Sequence, residues 1–224
     1  MSKGKLIVIE GIDGSGKSTQ YKLLQQRLTS DGIPFHSIVF PRYQEESSAL
    51  IRLYLGGQFG MNPSDVNGYA ASTFFAVDRY ASYQQDWKSA YENGMLILAD
   101  RYTTSNAVHQ GCKFNDEDKP SFFNWLSDFE YEKLGLPKPD LVIYQDVTLE
   151  LSVSRLRARE DATNTHADIH EMNIDYLSSC LHSADFACSH YGWTRIPYNL
   201  AGCELDVNKK NEMIYSIIRS FITE

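Results

Sequence analysis

A glycine-rich segment close to the start of the chain has the composition of a phosphate-binding loop. Residues 11–18 match the pattern G-x-x-x-x-G-K-[ST] at every position, between an apolar run and a segment with helical spacing. The glycines let successive backbone N–H groups face one point, and the N-terminus of the following helix also favours anions. Lys17 adds a positive charge, and Ser18 adds a hydroxyl that suits Mg²⁺. The residues predicted to hold nucleotide phosphates are Gly11, Ile12, Asp13, Gly14, Ser15, Gly16, Lys17, Ser18 and Thr19.

A second group of charged and polar residues follows the apolar run 95–99, at a predicted strand end. Asp100 could orient Mg²⁺ through water, and Arg101 could clamp phosphates as their charge shifts. The same tripeptide, Asp-Arg-Tyr, occurs at 78–80, but there it falls inside a long helical segment, so Asp78 needs no functional role. The polar residues that could read the edge of a base are Asn106, His109 and Gln110, although a lone histidine is more often a surface or core residue.

Two further pairs of residues are candidates for binding a second ligand. Phe40 and Arg42 belong to Phe-Pro-Arg-Tyr, which closes the second apolar run, and strand ends line the ligand crevice of a parallel sheet. A surface arginine after a proline turn explains this tetrapeptide equally well. Phe75 and Arg79 lie four residues apart on one helix face, where an aromatic plane beside a guanidinium suits a base. A core phenylalanine beside a solvated arginine is the competing interpretation.

Three arginines precede a polar stretch, residues 160–167, that lacks helical apolar spacing and is predicted to be a loop or lid. An arginine that moves over the phosphates when a lid closes is an expected helper of phosphoryl transfer. Arg159 stands nearest the stretch, whereas a solvated helix face accounts for Arg155 or Arg157. Asp168, His170 and Glu171 follow the stretch.

The apolar pattern predicts the elements that must position these residues. Short, near-continuous apolar runs are typical of strands buried on both faces of a parallel sheet. They occur at 6–9, 37–40, 95–99, 141–144 and, more weakly, 193–196. Helical spacing occurs between them, at 18–29, 65–93, 149–160, 168–191 and 208–221. We therefore expect a single α/β domain over residues 1–224, with a five-stranded parallel sheet flanked by helices and a short lid at about 158–170.

Composition limits the classes of function. The 224 residues carry a formal charge of −8 and are 42% hydrophobic, so disorder and a broad nucleic-acid-binding surface are both disfavoured. An anionic ligand would need positive charge concentrated at one place. The four cysteines form no C-x-x-C pair and are expected to be reduced. Because no apolar run approaches the ~20 residues that span a bilayer, we expect a cytoplasmic protein without membrane or nucleic-acid partners.

Taken together, these motifs resemble those of the thymidylate kinases, which are P-loop nucleoside monophosphate kinases. The similarity runs from about residue 5 to residue 191 and depends on the order and spacing of the motifs at 9–19, 40–43, 75–79, 100–107 and 168–171. The resemblance implies transfer of the γ-phosphate of ATP to dTMP, with Mg²⁺, to give ADP and dTDP for dTTP synthesis. It also implies a homodimer formed through helix 65–93.

The resemblance implies a role for each matching residue. Lys17 and the loop would hold ATP, Asp13 would order the phosphates near the sugar 3′-hydroxyl, and Arg42 and Arg101 would grip the dTMP phosphate. The residues implied at the nucleoside are Phe75 stacked on thymine, Arg79 on a thymine carbonyl, Asn106 near the base, His109 and Glu171 near the sugar, and Phe40 and Gln110 beside them. Ser18 and Asp100 would contribute to the metal site.

The chain departs from the family pattern in two places. Some members carry a catalytic arginine in the phosphate loop, where this chain has Gly14, and others carry basic residues in the lid, whereas residues 161–167 include only His166. Arg159 is therefore the predicted transition-state cation, together with the catalytic groups Lys17, Arg101 and Asp13. His109 replaces a common tyrosine and could alter nucleotide discrimination. A different nucleoside or nucleotide kinase, a catalytically weak nucleotide-binding protein and a switch or motor ATPase remain the alternatives.

Overall fold

Five parallel strands form the centre of the protein. The computed structural model describes residues 3–163, 168–171, 173–200 and 202–223. The strands are β1 (Leu6–Glu10), β2 (Phe35–Val39), β3 (Leu96–Asp100), β4 (Leu141–Gln145) and β5 (Thr194–Ile196), in the spatial order β2-β3-β1-β4-β5. The predicted fold class, an α/β protein with a five-stranded parallel sheet, is confirmed.

Alternation along the strands builds an apolar core on each face of the sheet. Leu6 and Val8 pack into one cluster, which also contains the buried Trp87, whereas Ile7 and Ile9 pack into a second cluster on the opposite face. Because both faces of the sheet are covered, β1 is buried along its whole length. The phosphate loop begins at the carboxyl end of β1, where ligand crevices of parallel sheets lie.

Helices cover both faces of the sheet. Their bounds are α1 (Lys17–Ser30), α2 (Ala49–Leu55), α3 (Gly68–Ser82), α4 (Lys88–Glu92), α5 (Thr103–His109), α6 (Lys119–Ser127), α7 (Leu149–Thr163), α8 (Ile174–Tyr191) and α9 (Val207–Thr223). A π turn, Tyr83–Trp87, joins α3 to α4, and a second π turn, Asp128–Lys133, follows α6. Short 3₁₀ turns cover Glu46–Ser48, Pro63–Asp65 and Gly111–Lys113, and a hairpin pairs β6 (Asn199–Leu200) with β7 (Cys203–Glu204).

The long predicted helix begins later than the sequence pattern indicated. The prediction started it at residue 65, but the segment Pro63–Asp65 is a separate 3₁₀ turn that Asn62 caps. The true cap is Asn67, whose side-chain oxygen accepts a hydrogen bond from Ala70 N at 2.9 Å. The end near Gly94 is confirmed, since Gly94 has a φ of 89° that ends the helix.

The polar stretch after Glu160 also differs from its prediction. Helix α7 continues to Thr163, so the predicted lid begins as helix, while residues 164–167, including His166, lie outside the described residues. The helix predicted from Asp168 begins instead at Ile174. Asp168 Oδ1 accepts hydrogen bonds from the backbone N–H groups of His170 and Glu171 at 2.9 and 3.0 Å, which closes a turn that competes with helix.

Several short elements had no clear signal in the sequence, namely α2, α5, α6 and the hairpin β6–β7. Each of these elements is too short to repeat the apolar spacing by which a helix or strand is recognised in a sequence. All four cysteines are free, as predicted. Within the described ranges, no helix combines the length and the apolar character needed to cross a bilayer.

Candidate active site

A cavity of about 590 Å³ opens at the carboxyl ends of β1, β2 and β3. Most of the residues predicted from sequence line it, and they come from segments far apart in the chain. They are Asp13, Gly14, Gly16, Lys17, Ser18, Thr19, Phe40, Phe75, Arg79, Asp100, Arg101, Asn106, His109, Gln110, Arg159 and Glu171. The predicted residues Gly11, Ile12, Ser15 and Arg42 do not line the cavity. The size suits a ligand larger than a phosphate ion.

The phosphate loop connects β1 to α1 and is fastened to α7. Gly14 adopts a φ of 76°, and a Cβ added there would lie 2.5 Å from the Ser152 carbonyl oxygen, so only glycine fits. Ser152 Oγ donates to Asp13 O at 2.7 Å, and Arg155 Nη1 donates to Gly14 O at 3.1 Å. Helix α7 therefore sets the position of the loop.

Arg101 lines the cavity directly after the carboxyl end of β3. Its φ of 67° is in the left-handed region, which is unusual for a residue with a side chain and directs the chain sharply out of the strand. The guanidinium bonds to the Asp13 carboxylate, lies 3.7 Å from the Glu10 carboxylate and lies 3.1 Å from His109 Nε2. This arrangement places a fixed cation between the phosphate loop and α5.

Charges around Arg101 determine which groups ionise. Burial disfavours the charged form of Asp13, but Arg101 and Lys17 outweigh that penalty and hold the pKa of the carboxyl well below its usual range. Burial and the charge on Arg101 lower the pKa of Lys17. Burial and Arg101 also lower the pKa of His109 to about 3, so this ring is neutral at physiological pH.

His109 belongs to a stack of rings at the end of the cavity nearest α8. It lies parallel to His170 with ring centroids 5.6 Å apart, and His170 Nε2 is 2.9 Å from the Tyr54 hydroxyl. Burial and the neighbouring His109 hold the pKa of His170 well below its usual value. Tyr176 donates to the His109 carbonyl oxygen at 2.6 Å. Two neutral histidines thus form one wall of the cavity.

Ser18 and Asp100 provide oxygen atoms next to the phosphate loop. Ser18 Oγ lies 3.4 Å from Asp100 Oδ2, with Ser18 exposed and Asp100 buried at the end of β3. Hydroxyl and carboxylate oxygens are ligands that Mg²⁺ prefers, usually together with substrate phosphates. In the part of the chain that the structure describes, no group of three or more His, Cys, Asp or Glu could hold a metal alone. The pair therefore fits a metal shared with a bound nucleotide.

A buried ion pair supports another part of the cavity wall. Arg79 contacts Glu130 through Nε at 2.6 Å and through Nη2 at 2.5 Å, and both side chains are almost completely buried. Asn106 Nδ2 also donates to Glu130, at 3.1 Å. Phe75 packs edge-on against Tyr54 while still lining the cavity. The interpretation of Arg79 as a solvated helix residue is therefore wrong.

Arg42 lies beside the cavity and is held by Asp78. Its Nε lies 3.1 Å from Asp78 Oδ1, and its backbone N–H donates to Asp78 Oδ2 at 2.8 Å. Asp78 is buried, with only 1% of its side chain exposed. Asp78 has a structural role, because its carboxylate fixes the loop after β2 through Arg42. Contact between Arg42 and an acceptor phosphate stays a prediction.

Two arginines of α7 line the cavity. Arg159 Nη2 donates to Glu171 Oε1 at 2.6 Å. Arg155 bonds to the phosphate loop and, through Nη2, to Glu204 at 2.6 Å. Arg155 therefore does not belong to a solvated helix face, whereas Arg157 is exposed and does fit that prediction.

Sequence reasoning missed three carboxylates that organise the site. Glu10 is fully buried and accepts hydrogen bonds from Thr104 Oγ1 at 2.6 Å and Ser105 Oγ at 2.7 Å. A charged residue inside an apolar strand was a usable signal for it. Asp78 and Glu130 had no such signal, since each acts through contacts with residues distant in sequence.

The fold and the cavity define a class of protein before any comparison. A parallel sheet whose first strand leads into a phosphate loop, with fixed arginines across the crevice, is the architecture of a P-loop phosphotransferase. The family model "Thymidylate kinase" matches residues 9–189. The chain belongs to the thymidylate kinase family, as its resemblance to these enzymes predicted.

Individual relatives agree with this assignment. Thymidylate kinase of Mycobacterium tuberculosis is 34% identical over 157 residues, which cover 69% of this chain and 71% of that protein. Human thymidylate kinase is 30% identical over 153 residues, covering 68% of this chain and 66% of that protein. The structure of thymidylate kinase from Candida albicans superimposes with a TM-score of 0.70 at 23% identity, covering 98% of this chain and 93% of that one, and shows a shared fold.

Proposed function

We propose that this protein is an ATP-dependent dTMP kinase, which transfers the γ-phosphate of ATP to dTMP and yields ADP and dTDP for dTTP synthesis. Family membership supports this activity and gives no support to a nucleoside kinase or a non-catalytic binder. The observation that carries the proposal is one continuous cavity, which joins the phosphate loop to an aromatic and polar end at Phe75 and Asn106. Arg101 stands between the two ends.

Positioning and charge account for the reaction. The loop backbone and Lys17 hold the ATP phosphates, while Arg101 holds the acceptor phosphate in line with the γ-phosphate. The acceptor is already an oxyanion, so no strong general base is required. The low pKa of Asp13 keeps that carboxylate ionised, and it holds the Arg101 guanidinium in place. Arg42 contributes a second contact to the acceptor phosphate.

Magnesium would be held by Ser18 and, through water, by Asp100. A bound Mg²⁺ would supply positive charge beside the ATP phosphates, which Ser18 and Asp100 are placed to hold there. Ser18 Oγ and Asp100 Oδ2 lie close enough to serve one hydrated ion. We therefore expect chelation of Mg²⁺ to abolish turnover while leaving the fold intact.

The other end of the cavity would hold the nucleoside. Phe75 provides a face for thymine, while Arg79 donates to a carbonyl and Asn106 reads the adjacent position. His109, Glu171, Phe40 and Gln110 complete the surroundings of the sugar and base. Because His109 is neutral, it adds no second positive charge beside Arg101.

We propose a homodimer formed through α3, its π turn and α4, and action in the cytoplasm without nucleic-acid or membrane partners. Val77 and Tyr80 are 51% and 41% exposed on α3, and Leu50 and Leu53 are exposed on the neighbouring α2. Exposed apolar side chains on two packed helices are typical of a subunit interface.

The test is ADP release with a panel of acceptors, namely dTMP, dUMP, dCMP, UMP and thymidine. We expect turnover with dTMP well above that with dCMP and UMP, and none with thymidine, because Arg101 requires an acceptor phosphate. Activity confined to thymidine would identify a deoxynucleoside kinase. ATP and dTMP binding without turnover would identify a non-catalytic protein, and acceptor-independent hydrolysis would identify an ATPase.

A further inference from the structure

Glu130 is a fully buried carboxylate that contacts the base-binding end of the cavity from behind. It lies in the π turn after α6. Its oxygens accept hydrogen bonds from Arg79 at 2.6 and 2.5 Å and from Asn106 at 3.1 Å. Thr103 Oγ1 donates to the same carboxylate at 2.7 Å. Glu130 therefore holds both side chains proposed to read the base, although it does not itself line the cavity.

The Asn106 amide has only one orientation that suits its surroundings. Nδ2 faces Glu130 Oε1 at 3.1 Å and the Ser72 backbone carbonyl oxygen at 3.2 Å. A carboxylate and a carbonyl only accept hydrogen bonds, so Oδ1 in that place would face two oxygen atoms. The amide nitrogen is thus committed to these partners, and Oδ1 is the polar atom of Asn106 left for a base.

Arg79 presents the opposite polarity. A guanidinium has five N–H groups and no acceptor. Nε and Nη2 contact Glu130, and Nη1 contacts the Tyr102 carbonyl oxygen at 3.4 Å. Any further contact to a base must therefore be a donation. Since Arg79 and Asn106 share Oε1 of Glu130, the cavity offers a donor and an acceptor next to each other.

We infer that Glu130 is the positioning residue that makes the site select a 4-oxo over a 4-amino pyrimidine; this inference rests on the proposed function. The thymine edge has an acceptor at O4 beside a donor at N3, which matches Arg79 and Asn106. Cytosine reverses both groups, so donors would face Arg79 and acceptors would face Asn106. Buried polar groups left unpaired in this way are costly.

A matched pair of nucleotides tests this polarity in the wild-type enzyme. 5-Methyl-dCMP keeps the methyl group and sugar of dTMP and exchanges only the 4-oxo group for a 4-amino group. We expect kcat/KM to favour dTMP by about 10²-fold or more, because a site that hydrogen-bonds its substrate rejects mismatched analogues strongly. Similar values for both nucleotides would overturn the inference but leave the kinase proposal standing. No turnover of either would contradict both.

Variants of Glu130 test the residue itself. Glu130→Gln offers one oxygen where Arg79 uses two, and Glu130→Asp retracts the carboxylate by one methylene while keeping its charge. Each is expected to reduce the ratio of kcat/KM for dTMP over 5-methyl-dCMP about tenfold or more, mainly through dTMP. If Glu130→Gln does not fold, the aspartate variant and the wild-type comparison still decide.

Thr103→Val is the matched control. It removes one hydrogen bond to the same buried carboxylate, but it leaves the Arg79 and Asn106 contacts with Glu130 in place. We expect a lower thermal unfolding midpoint with an unchanged nucleotide ratio. A folded Glu130 variant that keeps the wild-type ratio would overturn the inference, and so would an equal loss of the ratio in Thr103→Val.

Discussion

The arginine side chains around the cavity differ in how firmly they are held. Arg79 is buried and Arg101 is half-buried, and they pair with Glu130 and Asp13, so their guanidinium groups are fixed before any ligand arrives. Arg159 is 49% exposed and pairs with Glu171 at the rim. Fixed cations suit binding and orientation, whereas a more exposed cation can follow the charge that develops during transfer.

Arg159 is predicted to stabilise the transition state. Arg159→Ala should lower kcat by ~10³ or more with a smaller effect on KM, since an arginine finger acts mainly during transfer. Arg157→Ala is the matched control, because Arg157 is exposed on the same helix and does not line the cavity. Steady-state kinetics of both variants decide the role, and a kcat for Arg159→Ala near that of Arg157→Ala would remove it.

Asp168 should make stability depend on pH. Burial raises the pKa of Asp168 to about 6, above the ~4 of an unfolded aspartate. The folded state therefore binds this proton more tightly, and ionisation destabilises it as pH rises from about 4 to 6. Asp168→Asn keeps an acceptor for the two backbone N–H groups and removes the titration.

Urea unfolding of both proteins at pH 5 and pH 7.5 measures this effect. We expect the Asn variant to gain stability relative to wild type as pH rises, by on the order of 1–2 kcal/mol. A difference in free energy of unfolding that is the same at both pH values would contradict the assignment.

At the level of elements, the phosphate loop depends on α7 as well as on the strand and helix that it joins. Arg155 reaches from α7 to the Gly14 carbonyl oxygen, and Ser152 holds the Asp13 carbonyl oxygen. These contacts join the loop after β1 to the helix that follows β4, the neighbouring strand. The geometry of the loop therefore depends on residues about 140 positions away in sequence.

Arg155→Ala should weaken ATP binding. Loss of a hydrogen bond to the loop, worth about 1 kcal/mol, is expected to raise the KM for ATP about fivefold. Glu204→Gln is the control, because it removes the charged partner of Arg155 and leaves the Gly14 contact in place. Equal KM values for ATP in the two variants would show that the contact with Gly14 does not matter.

The sequence predicted the features that depend on neighbouring residues and missed the side-chain pairs that form only when distant segments meet. The five strands and the phosphate loop were readable because apolar runs and glycine spacing are local properties. The partners of Arg42 and Arg79 were not, since Asp78 and Glu130 acquire their roles only when distant segments meet. Helix starts were misplaced where a side-chain cap, such as Asn67, overrode the apolar period.

Over the whole molecule, an acidic chain concentrates positive charge at one crevice. The formal charge is −8, yet Lys17, Arg79, Arg101 and Arg159 all line the cavity, as the composition required for an anionic ligand. Arg42, the fifth predicted cation, lies beside the cavity on Asp78. Asp13, Glu130 and Glu171 pair with Arg101, Arg79 and Arg159 and keep these cations in place.

Subunit association should depend on the exposed apolar face of α3. Wild-type protein is expected to have twice the 25.5 kDa chain mass in light scattering, and Val77→Glu is expected to shift it to a single chain. Gln26→Glu adds the same charge at an exposed position on α1 and should leave the dimer intact. A wild-type mass of one chain, or dimers that survive Val77→Glu, would contradict this interface.

The fate of the γ-phosphate tests the central claim most directly. Phosphorus NMR of the wild-type enzyme with ATP, Mg²⁺ and dTMP follows every phosphate in one sample. We predict that the ATP γ-signal disappears while signals of ADP and the β-phosphate of dTDP grow in equal amounts. Release of inorganic phosphate without dTDP, or no change in ATP at high enzyme concentration, would contradict a cavity built to transfer phosphate to dTMP.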